Sequence, residues 1–478
     1  MINFSRRDFL QKGAIGAGTA FAISNSWASI FTSSDLKNSE VDIIIELTAK
    51  SQKKTSGNEF KTEYWTYEGK LVKGTRENLV SLPNSYLGPT IQVNTGDKVR
   101  VIFKNELSEK SIVHWHGLDV SHENDGHPHY AIKNGDSYQY DFVVENRAGM
   151  YWYHPHPHGR TGFQVYQGLA GLFIVRDKEE EKLQLPTGDQ ELNFVIQDRS
   201  FKASGELDYR PSMMGAFGDT LMINGIKKSD PIKVKKGLYR LRFLNGCNAR
   251  IFNMSFTGGQ FRQIGSDGGL LRTAVSIDRF YFAPAERFDC LVDFSNFEIG
   301  QKLSIDSLPL VEGRGDKYSL LEFEITDGNS VTFKKPALLS NMEQIKKTEA
   351  QNLNNPKKFE LIPKRGLGWT ISGRAYEDDS YVDDEIVKFG STEIWEFYNP
   401  TGMPHPMHIH GTQFQIVKRE SGQLKGCLDL GWKDVVLVMP GDRVQVIKRF
   451  NTFKGTFIYH CHNLEHEDMS MMRNFKII

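Results

Sequence analysis

Residues 459–471 restrict this chain more than any other stretch. They read Tyr459-His460-Cys461-His462-Asn463-Leu464-Glu465-His466-Glu467-Asp468-Met469-Ser470-Met471, in a chain with only four cysteines. The preceding residues, Gly455 to Tyr459, alternate and are rich in aromatic and β-branched side chains, which predicts a strand running into the motif. Successive side chains of a strand point to opposite faces. His460 and His462 therefore face one way and Cys461 the other. One backbone segment is placed to serve two metal sites, with Cys461 covalently between them. A core strand with a buried thiol would explain any one of these residues, but not the whole string.

Three further clusters carry the same pattern: His114-Trp115-His116-Gly117, His154-Pro155-His156-Pro157-His158-Gly159 and His405-Pro406-Met407-His408-Ile409-His410-Gly411. In each His-x-His both rings leave the strand on one face, so each pair offers two imidazoles to one point. The four pairs are His114 and His116, His154 and His156, His408 and His410, and His460 and His462. Their eight nitrogens suit about three copper ions. His405 is offset by an odd number from His408 and His410, which turns it to the face that Cys461 takes on its own strand. A cysteine thiolate, two histidines and a weak axial methionine are the ligands of a blue-copper electron-transfer site. Cys461, His405, His466 and Met471 fill that set. Zinc fits poorly: a structural site takes four ligands rather than twelve, and methionine is not among its usual donors.

A chain of 478 residues exceeds one ordinary domain, and Gly (43) and aromatics (12%) are abundant, as in β-rich proteins with many turns. Lys plus Arg equals Asp plus Glu at 59 each, and no basic tract exists, so nothing favours nucleic acid. Residues 41–177 and 188–330 read as β blocks joined by a charged linker at 178–187. Residues 331–357 read as an exposed linker before a third block, 358–478. Val93-Asn94-Thr95-Gly96-Asp97-Lys98-Val99 and Val234-Lys235-Lys236-Gly237-Leu238 resemble Val438-Met439-Pro440-Gly441-Asp442-Arg443-Val444, which suggests three copies of one β-sandwich. Cys247 and Cys290 lie in the same third of the chain, close enough to be a candidate pair; Cys427 is a candidate free thiol. Ser5-Arg6-Arg7-Asp8-Phe9-Leu10, the Gly/Ala-rich run after it and Ser26-Trp27-Ala28 have the order of a twin-arginine signal peptide over residues 1–28. No stretch is apolar for the ~18 residues that a membrane span needs. The expectation is an exported, periplasmic protein without a stable membrane anchor.

These motifs resemble the multicopper oxidases, the family of laccases, bilirubin oxidases and bacterial copper efflux oxidases. The resemblance covers nearly all of residues 41–478. It is carried by Trp152-Tyr153-His154-Pro155-His156, Leu244-Asn245-Gly246-Cys247-Asn248-Ala249-Arg250, Thr392-Glu393-Ile394-Trp395-Glu396-Phe397, Gly431-Trp432-Lys433-Asp434 and the run from His460 to Met472. It is most similar to the copper efflux and bilirubin oxidase branch. The resemblance implies an all-β fold of three cupredoxin-like Greek-key sandwiches and four copper ions. One is type 1; a type 2 ion sits on His114 and His408; two type 3 ions sit on His116, His154 and His462 and on His156, His410 and His460. His158 lies outside that pattern.

The activity implied is one-electron oxidation of a phenol, aromatic amine or Cu(I) at Cys461, coupled to four-electron reduction of dioxygen to water. Asp125 and Glu467 match acidic positions that handle protons near the cluster. A role in copper tolerance follows for this branch, whose members usually carry a Met-rich insert; residues 338–357 contain only Met342. Thr401 stands where those enzymes tend to have Asp, and Met403 matches a substrate-site position. Met213 and Met214 are further candidates for Cu(I) docking. Two other classes, a non-catalytic cupredoxin scaffold and a copper-storage protein, would bind no copper or would bind it without consuming oxygen.

Overall fold

The computed structural model describes residues 40–478 apart from 58, 229, 312–316, 329, 334 and 423–424. The twin-arginine segment lies outside these residues. The fold is all-β, with six sheets among the described residues and, as its three largest apolar clusters, one core for each third of the chain. In the first core Val99, Val101 and Phe103 point inward from alternate positions of the strand Lys98–Asn105. They meet Ile91, Trp115, Tyr153 and Phe173 of the facing sheet, the packing expected when period-two strands stack face to face.

The same wiring occurs three times. Ile43–Lys54 runs parallel to Lys98–Asn105, Glu191–Arg199 to Leu238–Asn245, and Lys357–Lys364 to Ser391–Tyr398. On the opposite sheets Thr90–Asn94 runs parallel to Gly171–Arg176, Ile232–Lys235 to Tyr318–Thr326, and Ile386–Val387 to Met472–Ile477. This wiring corrects one sequence expectation. The counterpart of the Gly96 and Gly237 turns is the turn at Gly390, not the one at Gly441. Val438-Met439-Pro440-Gly441-Asp442 instead joins Val435–Val438 to Arg443–Phe450. The two turns look alike because each is capped the same way. Asn94 N donates to Asp97 Oδ2 (2.7 Å) and Met439 N to Asp442 Oδ2 (3.3 Å). Turn chemistry encodes a local bend, not a place in a sheet.

Strand pairing sets the histidines against one another. Val113–His116 pairs antiparallel with Gly149–Pro155 so that His114 lies opposite His154. His405–Ile409 pairs antiparallel with Gly455–Cys461 so that His408 lies opposite His460 and Met407 opposite Cys461.

The two linkers are tighter than their composition suggests. The 331–357 linker contains no strand among its described residues before Lys357, yet Leu339 and Ile345 are buried and Ile345 N donates to Gln415 Oε1 (2.9 Å). Within 178–187, Lys178–Lys182 is a short helix capped by Asp177, whose side chain accepts from Glu180 N. Glu180 is buried, with Oε1 2.6 Å from Arg240 Nη1 and 2.8 Å from Arg242 Nη2. Burial pushes its carboxyl up, but Arg240, Arg242 and Arg176 outweigh that and hold it at about 2. No helix among the described residues is long and apolar enough to cross a membrane.

Removing one member of a buried ion network weakens it without stranding the rest, since Arg240 keeps Asp289 and Arg242 keeps Glu191 (3.0 Å). Glu180→Gln should cost about 1–3 kcal/mol and lower the denaturant midpoint accordingly. A midpoint within experimental error of the parent would show that the linker does not hold the first two sandwiches together.

Candidate metal centre

The eight paired histidines converge between the first and third sandwiches, and all are buried. His114 Nδ1 donates to Asp125 O (2.6 Å) and His408 Nδ1 to Asp434 O (2.7 Å). A carbonyl oxygen only accepts, so each ring carries its proton on Nδ1 and presents a lone pair at Nε2. Those two Nε2 atoms face each other at 3.4 Å. The same holds on the far side. His460 Nδ1 donates to Cys461 O (3.1 Å), while its Nε2 lies 3.1 Å from His410 Nε2 and 3.2 Å from His156 Nε2. His154 Nδ1 donates to Pro155 O (2.9 Å), leaving its Nε2 3.4 Å from His116 Nδ1. His462 completes this corner, its ring centroid 5.0 Å from His116 and 5.3 Å from His154, with both nitrogens buried and without a hydrogen-bond partner.

Protons do not resolve these contacts. Burial, reinforced by neighbouring imidazoles, lowers the pKa of His114, His116, His156, His408, His410 and His462 well below the ordinary histidine value, and puts His154 at about 3. Lone pairs that face one another in a dry cavity need a cation between them. The donor set therefore fits metal. Imidazole suits copper, and the thiolate nearby selects against harder ions.

The second group forms on the other face of the terminal strand. Cys461 Sγ lies 3.6 Å from His405 Nδ1 and 3.7 Å from His466 Nδ1, and those two nitrogens are 3.2 Å apart. Met471 is buried in the same core as Cys461 and is tied in by its backbone: Cys461 N donates to Met471 O (3.0 Å) and Met471 N to His466 O (2.9 Å). Short helix Leu464–Asp468, capped by Asn463, curls His466 back over the sulfur. His466 Nε2 donates to Met213 O (3.1 Å), which also accepts from Trp369 Nε1 (2.8 Å). Trp369 packs on both rings, with centroids 4.8 Å from His405 and 4.7 Å from His466. Thr401 Oγ1 lies 3.4 Å from His405 Nε2.

Both acidic candidates are buried at the cluster. Asp125 Oδ2 lies 2.7 Å from His410 Nδ1, and its Oδ1, without a hydrogen bond, lies 3.5 Å from His114 Nδ1; burial pushes its carboxyl well up, against the pull of Lys448. Glu467 Oε2 lies 3.0 Å from His460 Nδ1 and Oε1 3.6 Å from His156 Nδ1. His158 is exposed and packs on Tyr376 (4.8 Å). Cys247 and Cys290 are not paired, and all four cysteines are free. Sequence reading assigned no role to Asp434, although Gly431-Trp432-Lys433-Asp434 marked its neighbourhood. Its Oδ1 lies 3.0 Å from His116 Nε2. Nor could sequence reveal Met213 as a backbone partner of His466, since a carbonyl leaves no trace in residue type.

A family model described as multicopper oxidase matches residues 63–180, and a second with the same description matches 347–478. The chain is similar to the multicopper oxidase mco of Staphylococcus haemolyticus, 34% identical over 451 residues that cover 91% of this chain and 92% of that protein. A laccase of Bacillus subtilis is 29% identical over 456 residues, covering 82% and 88%. The crystal structure of McoA multicopper oxidase from the hyperthermophile Aquifex aeolicus superposes with a TM-score of 0.80 at 35% identity, covering 91% of this chain and 96% of that one.

The buried rings make metal-free protein sensitive to acid. His154 and His466 are held near 3 by burial, while in the unfolded chain they titrate near 6.5. Between those values the unfolded state binds more protons. Their contribution to stability is thus intact above about 6.5 and is lost as pH falls towards 3, at up to about 1.4 kcal/mol per pH unit for each ring. The thermal midpoint of the copper-free protein should fall between pH 6.5 and 4.5, and copper should raise the midpoint across that range. A flat midpoint without copper would contradict the neutral-imidazole account.

Proposed function

Because the chain belongs to the multicopper oxidases, a family of oxidoreductases that use dioxygen, we propose that it oxidises its reducing substrate one electron at a time beside Cys461 and delivers the electrons to dioxygen at the eight-histidine site. The observation that carries this reading is the terminal strand itself. Its sulfur faces His405 and His466, while His460 and His462 on either side join the other group. We assign four coppers: one held by His405, Cys461, His466 and Met471, one by His114 and His408, and one each by His116, His154 and His462 and by His156, His410 and His460. Copper at these residues supplies single-electron chemistry, four electrons in all to convert dioxygen and four protons into two waters.

The remaining roles belong to the chain. The Cys461 side chain and backbone form a covalent path from the sulfur to both flanking histidines. The hydrogen bond from His460 Nδ1 to Cys461 O shortens one branch. Asp125 and Glu467 are placed to hold protons at His410 and His460. On the substrate side, Met213 (46% exposed) and Met214 (54% exposed) lie on the segment whose carbonyl touches His466, and Met403 and Met469 pack against the core beneath. Thioethers suit Cu(I). We take Cu(I) as the substrate, with a role in copper tolerance, and the periplasm, reached through twin-arginine export, as the place of action. A phenol is the second reading, favoured by the likeness to a laccase.

Copper-loaded wild type should hold about four coppers, show a blue band and consume oxygen. Cys461→Ser should lose the blue band and the oxygen uptake, and retained turnover would refute the assignment. Replacing Met213 and Met214 together by Leu should lower kcat/KM for Cu(I) by about tenfold, or 1.4 kcal/mol, and leave that for dimethoxyphenol nearly unchanged. Equal losses on both substrates would count against Cu(I) docking there.

A further inference from the structure

The second sandwich contributes none of the assigned ligands, yet two of its buried residues, Arg287 and Asp267, reach Asp434 beside the cluster. Arg287, on Arg287–Asp293, is fully buried and uses all five N–H groups. Nε donates to Met150 O (3.1 Å) of the first sandwich, Nη1 to Ala285 O (2.8 Å), and Nη2 to Asp267 O (3.0 Å). The last two N–H groups grip the Asp434 carboxylate of the third sandwich: Nη1 at 2.7 Å from Oδ1, and Nη2 on Oδ2. Asp267 Oδ2 accepts from the backbone N–H of Asp434 and of Val435 (3.3 Å each). Carboxylate and backbone of Asp434 are thus both clamped from the second sandwich.

What Asp434 does with that rigidity concerns two histidines at once. Its Oδ1 accepts from His116 Nε2 (3.0 Å), so His116 presents Nδ1, which lies 3.4 Å from His154 Nε2. Its carbonyl accepts from His408 Nδ1 (2.7 Å), so His408 presents Nε2 to His114 Nε2. The two rings it holds are stacked, with centroids 3.8 Å apart and planes at 14°. Asp434 Oδ1 also lies close enough to His116 and His408 to be counted with them as a possible ligand. The nitrogens it faces, however, are the ones turned away from the other imidazoles. The approach is close by construction. A Cβ on Gly117, which follows His116, would come 2.5 Å from Asp434 Oδ2 and 2.8 Å from Arg287 Nη2, and Gly117 has a φ of +86°.

We propose that Asp434, held by Arg287, is a positioning residue that fixes the tautomers of His116 and His408 and so sets which nitrogen each offers to copper. This rests on the copper assignment above. Outer hydrogen bonds of this kind fix ring orientation and raise ligand basicity, and their loss costs about 10- to 100-fold in metal affinity. The Cys461 group has its own partners and does not touch Asp434.

The test uses copper-loaded full-length protein and reads three things: copper per chain, the blue band of the Cys461 centre, and the electron paramagnetic resonance of the copper on His114 and His408. Asp434→Asn should keep the blue band. It should shift or abolish the second copper signal and weaken copper retention against a chelator by about 10- to 100-fold at the cluster alone. Arg287→Lys, which keeps the charge but not the two-pronged grip, should shift the same signal by less. Full copper with unchanged signals in Asp434→Asn overturns the proposal, as does loss of both signals in equal proportion. If Asp434→Asn does not fold, Arg287→Lys decides by the same criteria. Wild type without copper would sink the copper assignment itself, a different outcome from failure of the positioning role.

Discussion

Neutral imidazoles that point lone pairs at one another are the constraint on which the site depends. His114 and His408 spend their only N–H on carbonyls and meet nitrogen to nitrogen at 3.4 Å. In water such rings would turn or take up a proton. Here burial disfavours the charged form, and the backbone has already fixed the tautomer. The polypeptide therefore pre-organises an arrangement that is unfavourable by itself and becomes favourable around cations.

That arrangement was legible in the sequence because it rests on strand parity, which needs no tertiary knowledge. Histidines two apart share a face, an odd offset reverses it, and so His405 and Cys461 separate from their neighbours. Register did the remainder: His114 opposite His154 and His408 opposite His460 turn four local pairs into one cluster. Other features did not follow from pattern. The Gly441 turn resembles the Gly96 turn because Asp caps both, although they occupy different places in their sheets. The charged run at 178–187 reads as solvated, but two of the three arginines that offset the burial of Glu180, Arg240 and Arg242, lie some sixty residues away. Carbonyl partners such as Met213 O are invisible to any reading of side chains.

The second sandwich illustrates how a domain without ligands serves a metal site. Its buried charges, Asp267, Glu286 and Arg287, meet Lys433 and Asp434 of the third sandwich, with Lys433 Nζ 2.7 Å from Glu286 Oε1 and 3.1 Å from Asp267 Oδ2. Buried pairs of this kind add little net stability compared with well-packed apolar residues. Their directional hydrogen bonds do something apolar packing would not. They specify one relative placement of Gly431-Trp432-Lys433-Asp434, the segment that reaches both His116 and His408.

Division of the cluster between two sandwiches has a thermodynamic consequence. Strands Val113–His116 and Gly149–Pro155 pack into one core through Val113, Trp115, Tyr151 and Tyr153, and His405–Ile409 and Gly455–Cys461 into another through Met407, Ile409, Phe457 and Tyr459. Ions bound between them favour the docked state over the separated one, so metal affinity and domain docking draw on the same free energy. The Cys461 group differs, since His405, Cys461, His466 and Met471 all come from the third sandwich. Partial separation of the first and third sandwiches would dismantle the cluster and leave this group intact. The Cys461 group thus draws its four residues from one sandwich, whereas the eight-histidine cluster exists only when two are assembled, and Cys461 with its two neighbours is the covalent link between them.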